Sequence, residues 1–434
     1  MRTFLLCLLI YIALLNHAHA VLTIDITGGR DEGGQPIAIV PFKLQTGKQP
    51  PPQDIAKIVA NNLYRSGRFA IMPTHILPEQ PAYFHQIKFS RWQAVGIPYL
   101  VTGRIAGDVE SGYTVEFELF DIYKRQQMIG FRYQATIPNL RQVAHQISDE
   151  IYHTLTGERG VFSTWIVYVT VQRRGENTQY HLYLADADGA NPRLMLRSTE
   201  PIFSPSWSPD GQRLAYVTYD TLGKNKRMAV YIQEIHTGQR TRVSAKVGLN
   251  TAPAWSPDGT RLALTLSQDG NPEIYILDLH DSALTRLTHH RAIDTEADWA
   301  PNGKSLVFTS DRSGQPQIYR ISANGGKAER LTSKGNYNAR PRFSPDGRKL
   351  ALLHGSGKGR FQIAVLSLSS GQLKILSRTS SDESPSFAPN GSMIIYATGS
   401  ELAAVSIDGR IRQRLTLDAS AEMREPAWSP FYRW

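Results

Sequence analysis

The chain has 434 residues, 41% hydrophobic and 20% charged, with a formal net charge of +10. That length is roughly two to three ordinary domains, so at least two cores are predicted, and the composition excludes a disordered chain. Basic residues are spread through both halves, with Lys224-Asn225-Lys226-Arg227 the densest run. No basic helix or row of stacking aromatics suits nucleic acid, so the charge reads as solvated surface, with attraction to anionic envelope surfaces left open.

Residues 1–20 carry one cation, Arg2, then an apolar run from Phe4 to Leu15 and the triplet Ala18-His19-Ala20. This is the layout of a secretory signal peptide cleaved between Ala20 and Val21. The run is short for a bilayer span, which makes an uncleaved anchor the weaker alternative, and no later segment has the roughly 18 apolar residues a membrane helix needs. The mature chain is therefore expected to have no membrane span. The one cysteine, Cys7, lies in that run behind Leu6, where lipoprotein processing needs a small residue. A mature chain without cysteine suits an oxidising compartment and excludes thiolate metal sites.

From Val21 to Gly29 the chain alternates Leu22, Ile24 and Ile26 with Thr23, Asp25 and Thr27, then reaches Gly28 and Gly29. The period is that of a half-buried strand, either an edge strand of its own domain or one offered to a partner. A strand at Ile37–Phe42 follows, and Pro50-Pro51-Pro52 with Asp54 introduces a helix from about Ile55 to Arg65 whose apolar face is Ile55, Ile58, Val59 and Leu63. Strands are predicted at Phe69–Met72, Tyr99–Thr102, Tyr113–Phe120 and Gln127–Tyr133, and a helix from about Leu140 to Leu155 stopped by Gly157. This order predicts a small α/β domain over residues 21–160, with residues 157–163 as linker.

One phrase then recurs: Trp207-Ser-Pro-Asp-Gly211, Trp255-Ser-Pro-Asp-Gly259, Trp299-Ala-Pro-Asn-Gly303, Phe343-Ser-Pro-Asp-Gly347, Phe387-Ala-Pro-Asn-Gly391 and a truncated Trp428-Ser-Pro430. The aromatics are spaced 48, 44, 44, 44 and 41 residues apart. A period of about 40 to 45 residues with four short strands per unit marks propeller blades. Pro presets the turn and Asp/Asn-Gly reverses the chain, while the aromatic is expected to wedge between blades. A stacked solenoid is the competing architecture, but the repeats carry no helical period. The series opens with three strands near Ile166–Thr170, His181–Leu184 and Arg193–Leu196 that lack a phrase, and ends with a phrase that lacks its strands. Pairing the two ends makes a sixth blade, so residues 161–434 are predicted to form a six-bladed propeller closed by its own terminal strands.

Catalytic signals are weak. There is no G-x-S-x-G, and Gly303-Lys-Ser305 has Asp298 where a phosphate-binding loop needs its first glycine. The twelve histidines offer no zinc spacing, His289-His290 falls between blades, and Asp186-Ala-Asp-Gly189 lacks the far acid of a calcium loop and reads as a hairpin turn. The expectation is a binding protein without enzymatic activity, metal or cofactor. Glycan binding stays open as a third class, although most of the nineteen tyrosines sit at strand positions.

On Ile37–Phe42, Ser66-Gly-Arg-Phe69, Leu155-Thr-Gly157 and six repeats closing on Pro426–Pro430, the chain resembles the TolB family, periplasmic members of the Tol–Pal envelope system of Gram-negative bacteria, over essentially its whole mature length. The resemblance implies a non-enzymatic periplasmic protein, a monomer outside the complex, supporting outer-membrane integrity and constriction at division. It implies two partners, the lipoprotein Pal on the propeller and the inner-membrane protein TolA through Val21–Gly29; other outer-membrane proteins and colicin-type bacteriocins are further partners the family brings.

The Pal site is expected at the mouth formed by residues entering each inner strand: Phe203-Ser204, Leu249-Asn250-Thr251-Ala252, Asp294-Thr295-Glu296, Asn338-Ala339-Arg340, Asp382-Glu383-Ser384 and Arg424-Glu425. The Asp/Asn-Gly turns fall at the opposite mouth. By resemblance, Leu249, Ala252 and Thr295 match Pal-sensitive positions, with Leu249 standing where another member of the family has His. Glu296, Glu383 and Glu425 beside Arg340 and Arg424 read as a mixed-charge rim for a partner's complementary charges, or as a plain solvated rim.

Overall fold

The computed structural model describes residues 23–24, 34–45, 50–175, 177–222, 225–357, 359–416 and 421–431. The expected signal peptide, its cleavage point, and all of the 21–29 segment except Thr23 and Ile24 lie outside them.

The N-terminal α/β unit is built on a mixed sheet of β2 (Gln35–Ile39), β3 (Lys43–Leu44), β4 (Phe69–Ile71), β5 (Tyr99–Asp108), β6 (Gly112–Asp121) and β7 (Gln126–Ala135). Its order is β4-β2-β5-β6-β7, with β3 also on β5. The short strands run parallel to their neighbours and β5-β6-β7 form an antiparallel meander. Helices α1 (Ile55–Arg65), α2 (Phe89–Ala94) and α3 (Leu140–Thr156) complete it. Asp54 caps α1 by accepting from the Lys57 N–H at 3.0 Å. The predicted stripe Ile55, Ile58, Val59 and Leu63 is buried with Val115, Phe117 and Leu119 of β6 and Ile147 and Ile151 of α3. Helix α3 stops at Gly157 in the left-handed region, φ +74°. Helix α2 is not predicted by the sequence, because six residues are too few to show a helical period. Trp92 anchors it from a fully buried position, its indole N–H donating to Glu79 Oε1 at 2.9 Å.

The remainder forms six four-stranded antiparallel blades around one axis; the blade 5 sheet carries a fifth strand, β1 (Thr23–Ile24). Blade 1 comprises Phe203–Trp207, Arg213–Leu222, Asn225–Glu234 and Arg240–Ser244. The inner strands of blades 2 to 5 are Asn250–Trp255, Asp294–Trp299, Tyr337–Phe343 and Asp382–Phe387. In blade 6 the inner strand Glu422–Trp428 pairs antiparallel with Trp165–Arg174, from the other end of the propeller sequence.

The recurring phrase works as its chemistry predicts. In blade 2, Asp258 accepts from Ser256 Oγ at 2.5 Å and from the Thr260 N–H at 3.0 Å, while Gly259 takes φ +71°. The Ser256 hydroxyl and the Thr260 backbone and hydroxyl donors hold the Asp258 carboxylate down to about 2. The preceding aromatic is the wedge. The indole N–H of Trp255 donates to Ser206 O of blade 1 at 3.0 Å, and that of Trp207 to Ala427 O of blade 6 at 3.1 Å. The guanidinium of Arg213 lies 4.6 Å over Trp255, and that of Arg261 lies 4.8 Å over Trp299.

The α/β unit is fastened to blades 5 and 6. Gly67, at φ +68°, brings the turn after α1 so close to the propeller that a Cβ there would stand 1.8 Å from Ile411 Cδ1. This accounts physically for Ser66-Gly-Arg-Phe69. Gln413 donates to Arg65 O, and Arg65 Nη1 to Ala187 O at 3.1 Å.

Deleting the chain from Arg424 onward removes the inner strand of blade 6 and leaves Trp165–Arg174 as an open edge. Such a protein is expected to lose solubility or its cooperative thermal transition. A truncated chain that melts at the parental temperature would show that this pairing does not hold the ring.

Candidate functional site at the propeller mouth

Every inner strand enters its blade through one residue with positive φ: Ser204 (+48°), Ala252 (+51°), Glu296 (+57°), Arg340 (+53°), Ser384 (+52°) and Glu425 (+52°). Non-glycine residues adopt this region rarely and at a cost, yet here it recurs in all six blades. The strand ladder skips at this residue and the next one. Thr251 faces Thr265, for example, and pairing resumes only at Ala254 with Ala263. In five of the six blades the residue after the left-handed one is proline, which has no N–H to lose where the ladder breaks. This explains why Pro-x-aromatic recurs.

The six left-handed residues line one small cavity of about 50 Å³ on the axis. On the turn side of this pinch the channel widens to about 550 Å³ between the prolines and aromatics of the repeated phrase, with Asp298 and Arg342 also on its wall. Arg340 fills the pinch. Its Nε donates to Glu296 Oε1 of blade 3 at 3.0 Å, and its Nη1 to Glu425 Oε1 of blade 6 at 3.1 Å and to Ser384 Oγ of blade 5. Glu425 Oε2 also accepts from the Ser204 N–H of blade 1 at 3.2 Å. Burial opposes the charge on Arg340, but Glu425, Glu296 and Glu383 outweigh it and raise its pKa above the ordinary arginine value. Burial, and then the nearby Glu425, raise that of Glu383.

The expected mouth residues separate into two kinds. Asn250, Asp294, Asn338 and Asp382 are fully or almost fully buried and form internal hydrogen bonds, Asp294 within its own blade and the other three to the preceding blade or the segment leading from it. Asn250 ties Ser244 and Lys246, Asp294 takes Arg312 Nη2 at 2.6 Å, Asn338 donates to Gln317 Oε1 at 2.8 Å, and Asp382 accepts from Ser377 and Thr379. Ala339 is buried as well. These residues hold the mouth in shape and offer a partner almost no surface. Phe203, Leu249, Thr251, Thr295, Glu383 and Arg424 keep accessible surface there. The mixed-charge rim needs correction: Arg340, Glu296 and Glu425 satisfy one another across the axis, so the charges that face outward are Glu383 and Arg424.

The sequence reading also missed what lies at the junction with the α/β unit. Asp186 and Asp188, expected as a plain hairpin turn, both accept from Arg141 of α3, Asp186 at 3.1 Å. His145, Asp186 and Asp188 are the one trio with metal-ligand spacing among the described residues, and the guanidinium of Arg141 already occupies the cation's place between the two carboxylates. The indoles of Trp207, Trp255 and Trp428 are buried and donate within the propeller, so they are not free platforms for sugar rings. Thr23 and Ile24 form a short antiparallel strand, β1, on the outer strand of blade 5 (Arg412–Thr416), opposite Thr416 and Leu415. The expected alternatives for this segment were its own domain or a partner; the pairing observed is with the propeller. Among the described residues no helix is long and apolar enough to cross a membrane.

Comparison with known proteins bears on both units. A family profile described as the TolB amino-terminal domain matches residues 22–128, and one described as the TolB beta propeller domain matches residues 152–432. The chain is 55% identical over 431 residues to the Tol-Pal system protein TolB of Nitrosococcus oceani, covering 98% of this chain and 97% of that one. It is 52% identical over 429 residues to the protein of the same name from Thioalkalivibrio sulfidiphilus, with the same coverage. The crystal structure of TolB from Acinetobacter baumannii superposes with a TM-score of 0.85 at 42% identity, over 94% of this chain and all of that one.

Replacing Arg340 by Gln leaves Glu296 and Glu425 facing each other across the axis without their cation. Breaking a largely buried pair from one side costs about 3 kcal/mol, and urea unfolding should register a loss of that order. A midpoint equal to that of the unaltered chain would show that the pinch contributes nothing to ring stability.

Proposed function

The chain belongs to the TolB family and so to the Tol–Pal system of the cell envelope, and from that premise we propose that it acts in the periplasm without catalysis, joining Pal at the propeller mouth to TolA at its N-terminal segment. In this role it supports outer-membrane integrity and envelope constriction. The observation that carries the Pal reading is the closed pinch. An axial cavity of about 50 Å³ is far below the roughly 300 Å³ at which small-molecule sites begin, so this face suits contact with another protein's surface. The left-handed ring and the buried Asn and Asp side chains beneath it hold the face rigid, which lowers the ordering cost of docking.

Thr295 and Ala252 lie within this face. Ala252 is nearly buried and sits at φ +51°, so a β-branched residue there would strain the fold as well as the interface. Thr295 lies in the inner strand of blade 3 outside the left-handed region, and its hydroxyl lies 3.3 Å from that of Thr265 in blade 2. Thr295→Ile is therefore the cleaner variant. It should weaken Pal by about 1–3 kcal/mol with an unchanged melting temperature, whereas Asp258→Ala on the opposite mouth should leave Pal affinity intact. Loss of binding in the Asp258 variant alone, read by calorimetry, would move the site to the turn side.

For TolA, the proposed contact is strand addition by Val21–Gly29, with backbone hydrogen bonds giving affinity and alternate side chains specificity. Where TolA takes Thr23 and Ile24, their pairing with blade 5 has to open first. A chain lacking residues 21–32 should keep its propeller transition and lose TolA binding in a pull-down with purified TolA; binding undiminished by the deletion would end this assignment.

A further inference from the structure

A cavity of about 300 Å³ lies where the α/β unit meets blades 4, 5 and 6, away from the propeller mouth. Much of its wall is apolar, from Val161, Phe162, Pro345, Met393, Ile411 and Trp428. Arg65, the last residue of α1, is also on this wall and is only 5% exposed. Two contacts hold its side chain: Nη1 donates to Ala187 O at 3.1 Å, and the guanidinium carbon lies 5.3 Å over the Phe162 ring. Nε and Nη2 are buried and have no hydrogen-bond partner among the described residues. These two nitrogens are the ones whose N–H bonds run parallel along one edge of the guanidinium, the edge a carboxylate takes with both oxygens. The acids around Arg65 are committed elsewhere. Arg141 pairs with Asp186 and Asp188, and Asp149 accepts from the N–H groups of Phe162 at 2.8 Å and Ser163 at 3.1 Å. The acids on the cavity wall, Glu158, Asp346 and Asp408, are exposed, and the last two accept backbone N–H groups of their own turns. Burial therefore prevails over the pull of Asp188 and leaves the pKa of Arg65 below the ordinary arginine value.

We propose that this cavity binds a free acid with one carboxylate and an apolar body, the carboxylate meeting Arg65 Nε and Nη2 side-on and the body lying against Phe162, Met393, Ile411 and Trp428. A buried donor pair left unmade costs its full desolvation, so one anion delivered to it gains more than the same contact in water. A second charge on the ligand would be set against apolar wall, which selects a monocarboxylate. The cavity volume is at the low end for small-molecule sites, so the body is short. Arg65 belongs to the α/β unit and Met393 and Ile411 to blade 5, so a ligand touching both fastens one unit to the other and stabilises the folded chain by mass action. The site is separate from the proposed Pal and TolA contacts and does not depend on them.

The test titrates the mature chain with octanoate in a calorimeter, beside octanol, which has the same body without the charge, and acetate, which has the charge without the body. Octanoate should bind saturably and raise the melting temperature, and octanol and acetate should each bind about tenfold or more weakly. Arg65→Lys keeps the cation and loses the parallel donors, and should weaken octanoate by about tenfold or more. Ser392→Phe, at a half-buried wall position, should fill the cavity and block octanoate with Arg65 unaltered. Where Arg65→Lys fails to fold, Ser392→Phe and the octanol comparison decide the matter. Equal affinity for octanoate and octanol, octanoate affinity unchanged in either folded variant, or no saturable binding by the unaltered chain would each overturn the proposal.

Discussion

The pairing of Glu422–Trp428 with Trp165–Arg174 closes the ring, and the rest of the propeller depends on it. Each blade buries its faces only against its neighbours, so a ring with a gap would expose two faces and an edge. The closure is reinforced beyond its ladder. The Ser429 hydroxyl accepts from the Trp165 N–H, the Trp428 indole donates to Thr164 Oγ1, and the Trp207 indole of blade 1 reaches back to Ala427. The last inner strand is thus tied to the first blade, to its own blade and to the segment entering from α3.

Closure also creates the site. Six inner strands brought to one axis would crowd, and the left-handed residue at each entrance bends the chain where the ladder is already interrupted. The consequence is a pinch that one guanidinium can fill. Arg340 touches carboxylates of blades 3 and 6 and the hydroxyl of Ser384 in blade 5, so the mouth behaves as one surface and its shape is coupled to the stability of the ring. Residues that look polar and available in the sequence are used up in holding it.

The junction between the two units follows the same economy of buried charge. Arg65 and Arg141 from two helices meet Asp186 and Asp188 from blade 6, and burial disfavours the Asp188 carboxylate's charge less than His145, Arg65 and Arg141 favour it, leaving its pKa below the ordinary value. Gly67 lets the α/β unit approach closely enough for that network to form.

The sequence by itself determined the units and their order. Six phrases at a blade-length period, a first group of strands without a phrase and a last phrase without strands dictated both the blade count and the closure, because turn chemistry and strand period are local properties that survive without coordinates. Helix α1 was legible from Asp54 and its apolar stripe for the same reason. What each mouth residue does was decided only by the tertiary structure. Asn250 and Thr251 are neighbours in an inner strand, yet alternation along that strand sends one into the blade and leaves the other partly open. Arg340 reads as an exposed rim charge until the ring brings Glu296 and Glu425, 44 and 85 residues away, to its guanidinium. Val247 and Ile293 carry no motif at all, and that these aliphatic side chains stand exposed was decided by the tertiary structure, not by any local pattern.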